Sequence, residues 1–186
     1  MFVALLMVGC AEEQIIQDGP YTEYYGNGQK EFEGSYKDGK EDGPSTWWYS
    51  NGQKSLEWSY KDGKPVTLVG WKPNGERCPE TNIVDGNGVV VIYREDGTEG
   101  GRSTYKDGQK DGLATRWHEN GQKHFQGTYK NGERNGIWIW WYENGQKMEE
   151  ATYKDGKVIS TMKWDKDGNI DLDDHKTRKK IVANAV

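Results

Sequence analysis

The sequence is short of aliphatic side chains: Leu, Ile, Val and Phe together make up 29 of its 186 residues, about 16%. That excludes a large helical or doubly wound α/β core, both of which bury Leu- and Val-rich faces. It is also short of net charge, with 25 basic against 30 acidic residues and a formal charge of −5. Nucleic-acid binding needs a basic face or stripe and is set aside. No apolar run reaches the roughly 20 residues that a membrane-crossing helix takes. Cysteine is scarce, with only Cys10 and Cys78.

Low aliphatic content alone reads as disorder, but disorder goes with high net charge and few aromatics. Here Trp, Tyr and Phe number 9, 11 and 3, and Gly numbers 25. The apolar material has moved into rings, and a Gly- and ring-rich chain suggests many short strands joined by tight turns.

Residues 1–10, MFVALLMVGC, have the apolar character of a secretion signal. Met7-Val8-Gly9-Cys10 resembles a bacterial lipobox. The resemblance implies lipidation of Cys10, a place in the cell envelope and membrane attachment only through that N-terminal anchor. Left unprocessed, the chain would be cytoplasmic. If Cys10 is consumed in this way, Cys78 has no partner and reads as a free thiol. Residues 11–20 read as a polar tether ending in Asp18-Gly19-Pro20.

From Tyr21 the chain repeats. The units align on Gly28, Gly52, Gly75, Gly97, Gly121, Gly145 and Gly168, spaced by 24, 23, 22, 24, 24 and 23 residues. Asn-Gly-Gln-Lys recurs at 27–30, 51–54, 120–123 and 144–147, and a second turn motif, Tyr-Lys-(Asp or Asn)-Gly, recurs at 36–39, 60–63, 105–108, 129–132 and 153–156. Both are hairpin signals, because Gly takes positive φ without steric cost. One unit cannot bury its own apolar face, so neighbours must stack. The reading is all-β: an elongated, twisted array of antiparallel hairpins over residues 21–170, degenerate at 65–88, with 171–186 as a polar tail or cap.

Four residues before each anchor Gly stands an aromatic: Tyr24, Trp48, Trp71, Tyr93, Trp117, Trp141 and Trp164. Eight after it stand Tyr36, Tyr60, Ile83, Tyr105, Tyr129 and Tyr153, and six after it mostly small residues such as Gly34, Gly127 and Ala151. Strand side chains alternate with period two. The even offsets therefore place the seven-ring column, the second ring column and the small residues together on a core face. This parity requires a loop with an odd number of residues, met by a three-residue loop ending in a left-handed Gly. Tyr25, Trp47, Tyr49, Trp138, Trp140 and Tyr142 then fall on the outer face. They either shelter the strands or form a recognition stripe for a protein partner or an envelope glycan.

Other clusters favour plain readings. His118 and His124 should be neighbours across one hairpin, but without a third ligand they make a poor zinc site. Asp165-Lys166-Asp167-Gly168-Asn169 mimics part of a calcium loop, yet it is equally the seventh hairpin turn. No nucleophile stands beside a base, so no enzyme activity, metal or cofactor is expected.

WHENGQKHFQGTYKNG at 117–132 and WYENGQKMEEATYKDG at 141–156 resemble the variant MORN repeat of bacterial proteins. The resemblance covers roughly residues 21–170 and implies a hairpin array without catalytic residues. Many such chains are classed as YwqK-family antitoxins, which implies a non-catalytic scaffold whose protein partner is a toxin. The alternative is an envelope lipoprotein that binds glycan or wall components.

Overall fold

The computed structural model describes residues 18–171. Cys10, the tether as far as Gln17, and residues 172–186 lie outside the described residues. The described chain is all-β, as expected, and forms one antiparallel sheet. Its strands are β1 (Gly19–Tyr24), β2 (Lys30–Lys37), β3 (Lys40–Glu41), β4 (Gly43–Trp48), β5 (Lys54–Lys61), β6 (Lys64–Trp71) and β7 (Arg77–Val84). They continue with β8 (Asn87–Tyr93), β9 (Glu99–Lys106), β10 (Gln109–Trp117), β11 (Lys123–Lys130), β12 (Glu133–Trp141), β13 (Lys147–Lys154) and β14 (Lys157–Lys163). Each strand pairs with the next in sequence, except that β2 pairs with both the short β3 and β4.

Two kinds of turn alternate along the chain. At the Asn-Gly turns, Gly28 N–H donates to the Tyr25 carbonyl at 2.9 Å and Tyr25 N–H to the Gln29 carbonyl at 2.8 Å. The loop is therefore Gly26-Asn27-Gly28, three residues with Gly28 at φ 82°, and the other anchor glycines repeat it. The expected odd loop is present. At the Tyr-Lys-Asp-Gly turns both central residues have positive φ, as at Asp38 (51°) and Gly39 (69°), which is the tight two-residue hairpin turn.

The face assignment differs from expectation. Directly after each three-residue loop the pairing slips again: Tyr24 pairs with Lys30, but Glu23 pairs with Phe32, leaving Glu31 as an extra residue. Ser55, Gly100, His124 and Met148 are skipped at the same place in other hairpins, and the 65–88 hairpin skips Pro79, Glu80 and Thr81. A bulge of one or three residues inverts the alternation beyond it. Odd offsets before the anchor Gly therefore share a face with even offsets after it. Trp138 pairs with Ala151 and Ser45 with Trp58.

The sheet accordingly has a ring face and a ladder face. The ring face holds the core: Trp58, Leu68, Ile83 and Val90 are buried in one cluster, with Trp47, Leu56, Tyr60, Ile92 and Tyr105 packed against it. Phe32 is buried toward one end, and Trp138, at 0% exposure, toward the other. The seven-ring column lies on the opposite, ladder face. Tyr24 is 60% exposed, and Trp48, Trp71, Tyr93, Trp117, Trp141 and Trp164 are half-buried.

Candidate interaction surface

The small residues make room for a ring, but for Trp138 rather than for the seven-ring column. A side chain at Gly127 would run into the Trp138 indole, and Ala151 lies opposite it. Trp138 donates from Nε1 to the Thr128 carbonyl at 3.0 Å, which satisfies its one polar atom. Tyr129, Phe125 and Trp140 pack around it with ring centroids at 4.9, 5.7 and 5.7 Å. The Arg134 guanidinium lies 4.7 Å from its ring and donates to the Tyr153 hydroxyl at 2.9 Å. Trp138 is therefore core, not an outer-face contact residue.

Trp47 and Trp140 occupy equivalent places, each five residues before its anchor Gly and each directly before the bulge. Both are half-buried on the ring face. Trp47 rests on buried Phe32, with centroids 4.5 Å apart, and Trp140 rests on Trp138. Their exposed parts stand on rigid supports.

Tyr25, Tyr49 and Tyr142 have another task, at the edge where the Asn-Gly turns line up. Their hydroxyls donate to the carbonyls of Trp48, Trp71 and Trp164 in the following unit, at 2.6, 2.8 and 2.9 Å. His118 Nε2 does the same to the Trp141 carbonyl at 2.8 Å, and Arg94 to that of Trp117. Burial raises the Tyr25 hydroxyl to about 12 and raises Tyr49 as well, so both remain donors at neutral pH. The Asn of each Asn-Gly-Gln-Lys also reaches forward: Asn27, Asn51, Asn120 and Asn144 donate to Ser50, Pro73, Glu143 and Lys166 carbonyls at 2.6–2.9 Å. The tetrapeptide thus encodes both a turn and a stitch to the next turn.

On the ladder face, lysines fill the gaps between rings. Lys30, Lys54, Lys72, Lys123 and Lys147 place their ammonium groups 5.6, 5.7, 6.0, 5.7 and 5.0 Å from the rings of Trp48, Trp71, Tyr93, Trp141 and Trp164. Lys30 and Lys147 also pair with Glu33 and Glu150, each at 2.9 Å. These rings are held as cation–π rungs. Sequence reasoning found the repeated Lys without its task, and it did not single out Arg94 or Arg134.

His118 and His124 are neighbours, with ring centroids 4.5 Å apart. Burial, then the His118 and Arg116 charges, hold His124 below the usual range. The Asp165 carboxylate caps its own turn, accepting from Asp167 N–H at 3.0 Å and Asn169 N–H at 2.8 Å. Among the described residues, no three His, Cys, Asp or Glu side chains gather as a metal site. Cys78 is buried beside Thr81 and Tyr93. Burial opposes its ionisation, but the hydrogen bonds it shares with Thr81 and Tyr93 outweigh that and hold the thiol below its ordinary range.

Residues 17–38, 41–62, 110–131 and 134–155 each match the MORN repeat variant. The chain carries four MORN-type repeats. Each match covers one three-residue-loop hairpin, and the unmatched stretch between the second and third includes the hairpin with the wide bulge. A comparison with curated proteins gives no match. MORN repeats are a non-enzymatic repeat-scaffold fold, which suggests a scaffold for binding.

Proposed function

We propose that this chain is a non-catalytic scaffold that binds a protein partner on its ring face, with Trp47 and Trp140 as anchors. The observation that carries the reading is their placement: large, partly buried indoles at one repeat position, each backed by a buried ring. Binding energy concentrates in such aromatics, because the support beneath them is already ordered. Tyr25, Tyr49 and Tyr142 serve the array instead. The resemblance to YwqK-family antitoxins supports a toxin as the partner. The test is co-expression with the protein encoded by the adjacent gene, followed by co-purification of wild type, Trp47→Ala, Trp140→Ala and the double variant. Loss of the partner from the double variant, with its circular dichroism unchanged, is the expected result. Full retention by the double variant would remove the ring face from consideration.

A second reading is a cell-envelope lipoprotein binding glycan or wall components, and it is favoured by Met7-Val8-Gly9-Cys10. Labelling with a fatty-acid analogue decides it: incorporation into wild type and not into Cys10→Ala supports an anchor. An unlabelled wild type removes this reading and leaves a cytosolic scaffold.

A further inference from the structure

Along the Asn-Gly edge the side-chain hydrogen bonds between units run one way, toward the following unit, whereas at the opposite edge Gly63, Gly108, Gly132 and Gly156 N–H donate back to the preceding turn. In units one, two, five and six, a Tyr or His three residues before the anchor Gly and an Asn one residue before it donate to carbonyls of the following unit. A Lys two residues after the same Gly covers the following unit's ring. The array therefore has two unlike ends.

At the far end, the seventh unit has Asp165 and Asp167 where the donors would stand. Carboxylates cannot donate, and Asp165 is turned back onto its own loop. This end does not offer the stitch to anything beyond it. At the near end, β1 is the edge strand of the described sheet and, among the described residues, pairs only with β2. The carbonyls of Tyr24 and Gly26 correspond to those of Trp48 and Ser50, which accept from the unit before. Among the described residues no side chain reaches them. Tyr24, the counterpart of the Lys-covered rings, is 60% exposed.

We propose that the β1 end is a docking site for a terminal MORN-type hairpin of a separate polypeptide whose donor side is open. That hairpin would carry Tyr or His, Asn and Lys at the three stitching positions. The occupant follows from continuity: the same half-interface is filled between successive units along this chain, and along the Asn-Gly edge β1 presents its acceptor half, while at the other edge Gly39 N–H, the counterpart of the back-donating Gly63, is taken by Asp18 at 3.4 Å. A second copy of this chain does not fit, because its far end brings acids and its near end brings another acceptor edge. This surface is distinct from the ring face.

The probe is a cyclised peptide with the sequence of residues 137–157, its hairpin verified by NMR because isolated hairpins are marginal in water. It is titrated into the isotope-labelled full chain. Amide shifts confined to residues 19–30 are expected. Replacing Tyr142→Phe and Asn144→Asp in the peptide should weaken binding about tenfold, the equivalent of two ordinary hydrogen bonds. Tyr24→Ala in the protein should weaken it independently of how the altered peptide folds. Absence of shifts at millimolar peptide, shifts centred on β14, or equal affinity for both peptides together with an unaffected Tyr24→Ala chain would overturn the proposal.

Discussion

Gly127→Ala tests the packing of Trp138 with the smallest possible change. Gly127 lies within β11 and does not have positive φ, so its backbone accepts alanine without strain. The whole penalty comes from the new methyl group, which would run into three atoms of the Trp138 indole. The indole cannot yield freely, since it is 0% exposed, bonded to the Thr128 carbonyl and covered by Arg134. Forcing an extra methyl into a filled site costs about 1–3 kcal/mol. Pulling the indole N–H away from a buried carbonyl adds about 1–3 kcal/mol. The expected loss is therefore about 2–6 kcal/mol, read from urea denaturation followed by circular dichroism and tryptophan emission. Gly101→Ala is the control, because its new methyl would find its nearest neighbour at an ordinary 3.6 Å. It should be neutral or stabilise by up to about 1 kcal/mol through the unfolded state. If Gly127→Ala unfolds within about 0.5 kcal/mol of wild type, as ordinary surface changes do, Trp138 is not packed as described.

Tyr49→Phe should cost about 1–3 kcal/mol, because it strands the Trp71 carbonyl, whereas Tyr25→Phe, at a less buried stitch, should cost about 0.5–1.5 kcal/mol; thermal melts give both. His124 has a folded pKa below its unfolded value of about 6.5, so the unfolded chain binds more protons between the two. Stability should fall as pH is lowered through that window, and His124→Gln should flatten the dependence of Tm on pH. Cys78 is 2% exposed, and burial should override its lowered pKa: a thiol reagent should label it only as fast as the chain opens, and promptly in urea.

Much of this fold was legible because turn chemistry is local. Asn-Gly and Asp-Gly announce positive φ, so the alternating turns, the repeat period and the three-residue loop could all be read from residues such as Gly28 and Asp38-Gly39. The second bulge could not. It falls on Glu31, Ser55, Gly100, His124 and Met148, which share no residue type, because a bulge whose extra residue keeps negative φ places no demand on the side chain. One unmarked residue per hairpin exchanged the faces, sending Trp138 into the core and the seven-ring column to the ladder. A size clue was present all the same. Gly127 and Ala151 flank a space that one indole fills, and the large residue facing them identifies the buried position. The stitches were half legible: the recurring Asn-Gly-Gln-Lys signalled a common task, but reach to a carbonyl in the following unit is a property of the stacked array. Of the six expected surface aromatics, only Trp47 and Trp140 remain candidates for contact with a partner.

The face assignment underlies every functional statement made for this chain, and hydroxyl-radical footprinting read by mass spectrometry tests it directly. The ordering of oxidation rates should follow side-chain exposure, with Trp138 protected like Trp58, Trp47 and Trp140 intermediate, and Tyr24 among the fastest of the rings. Oxidation of Trp138 at the rate of Trp140, with Trp141 and Trp164 protected, would restore the seven-ring column to the core and contradict the account.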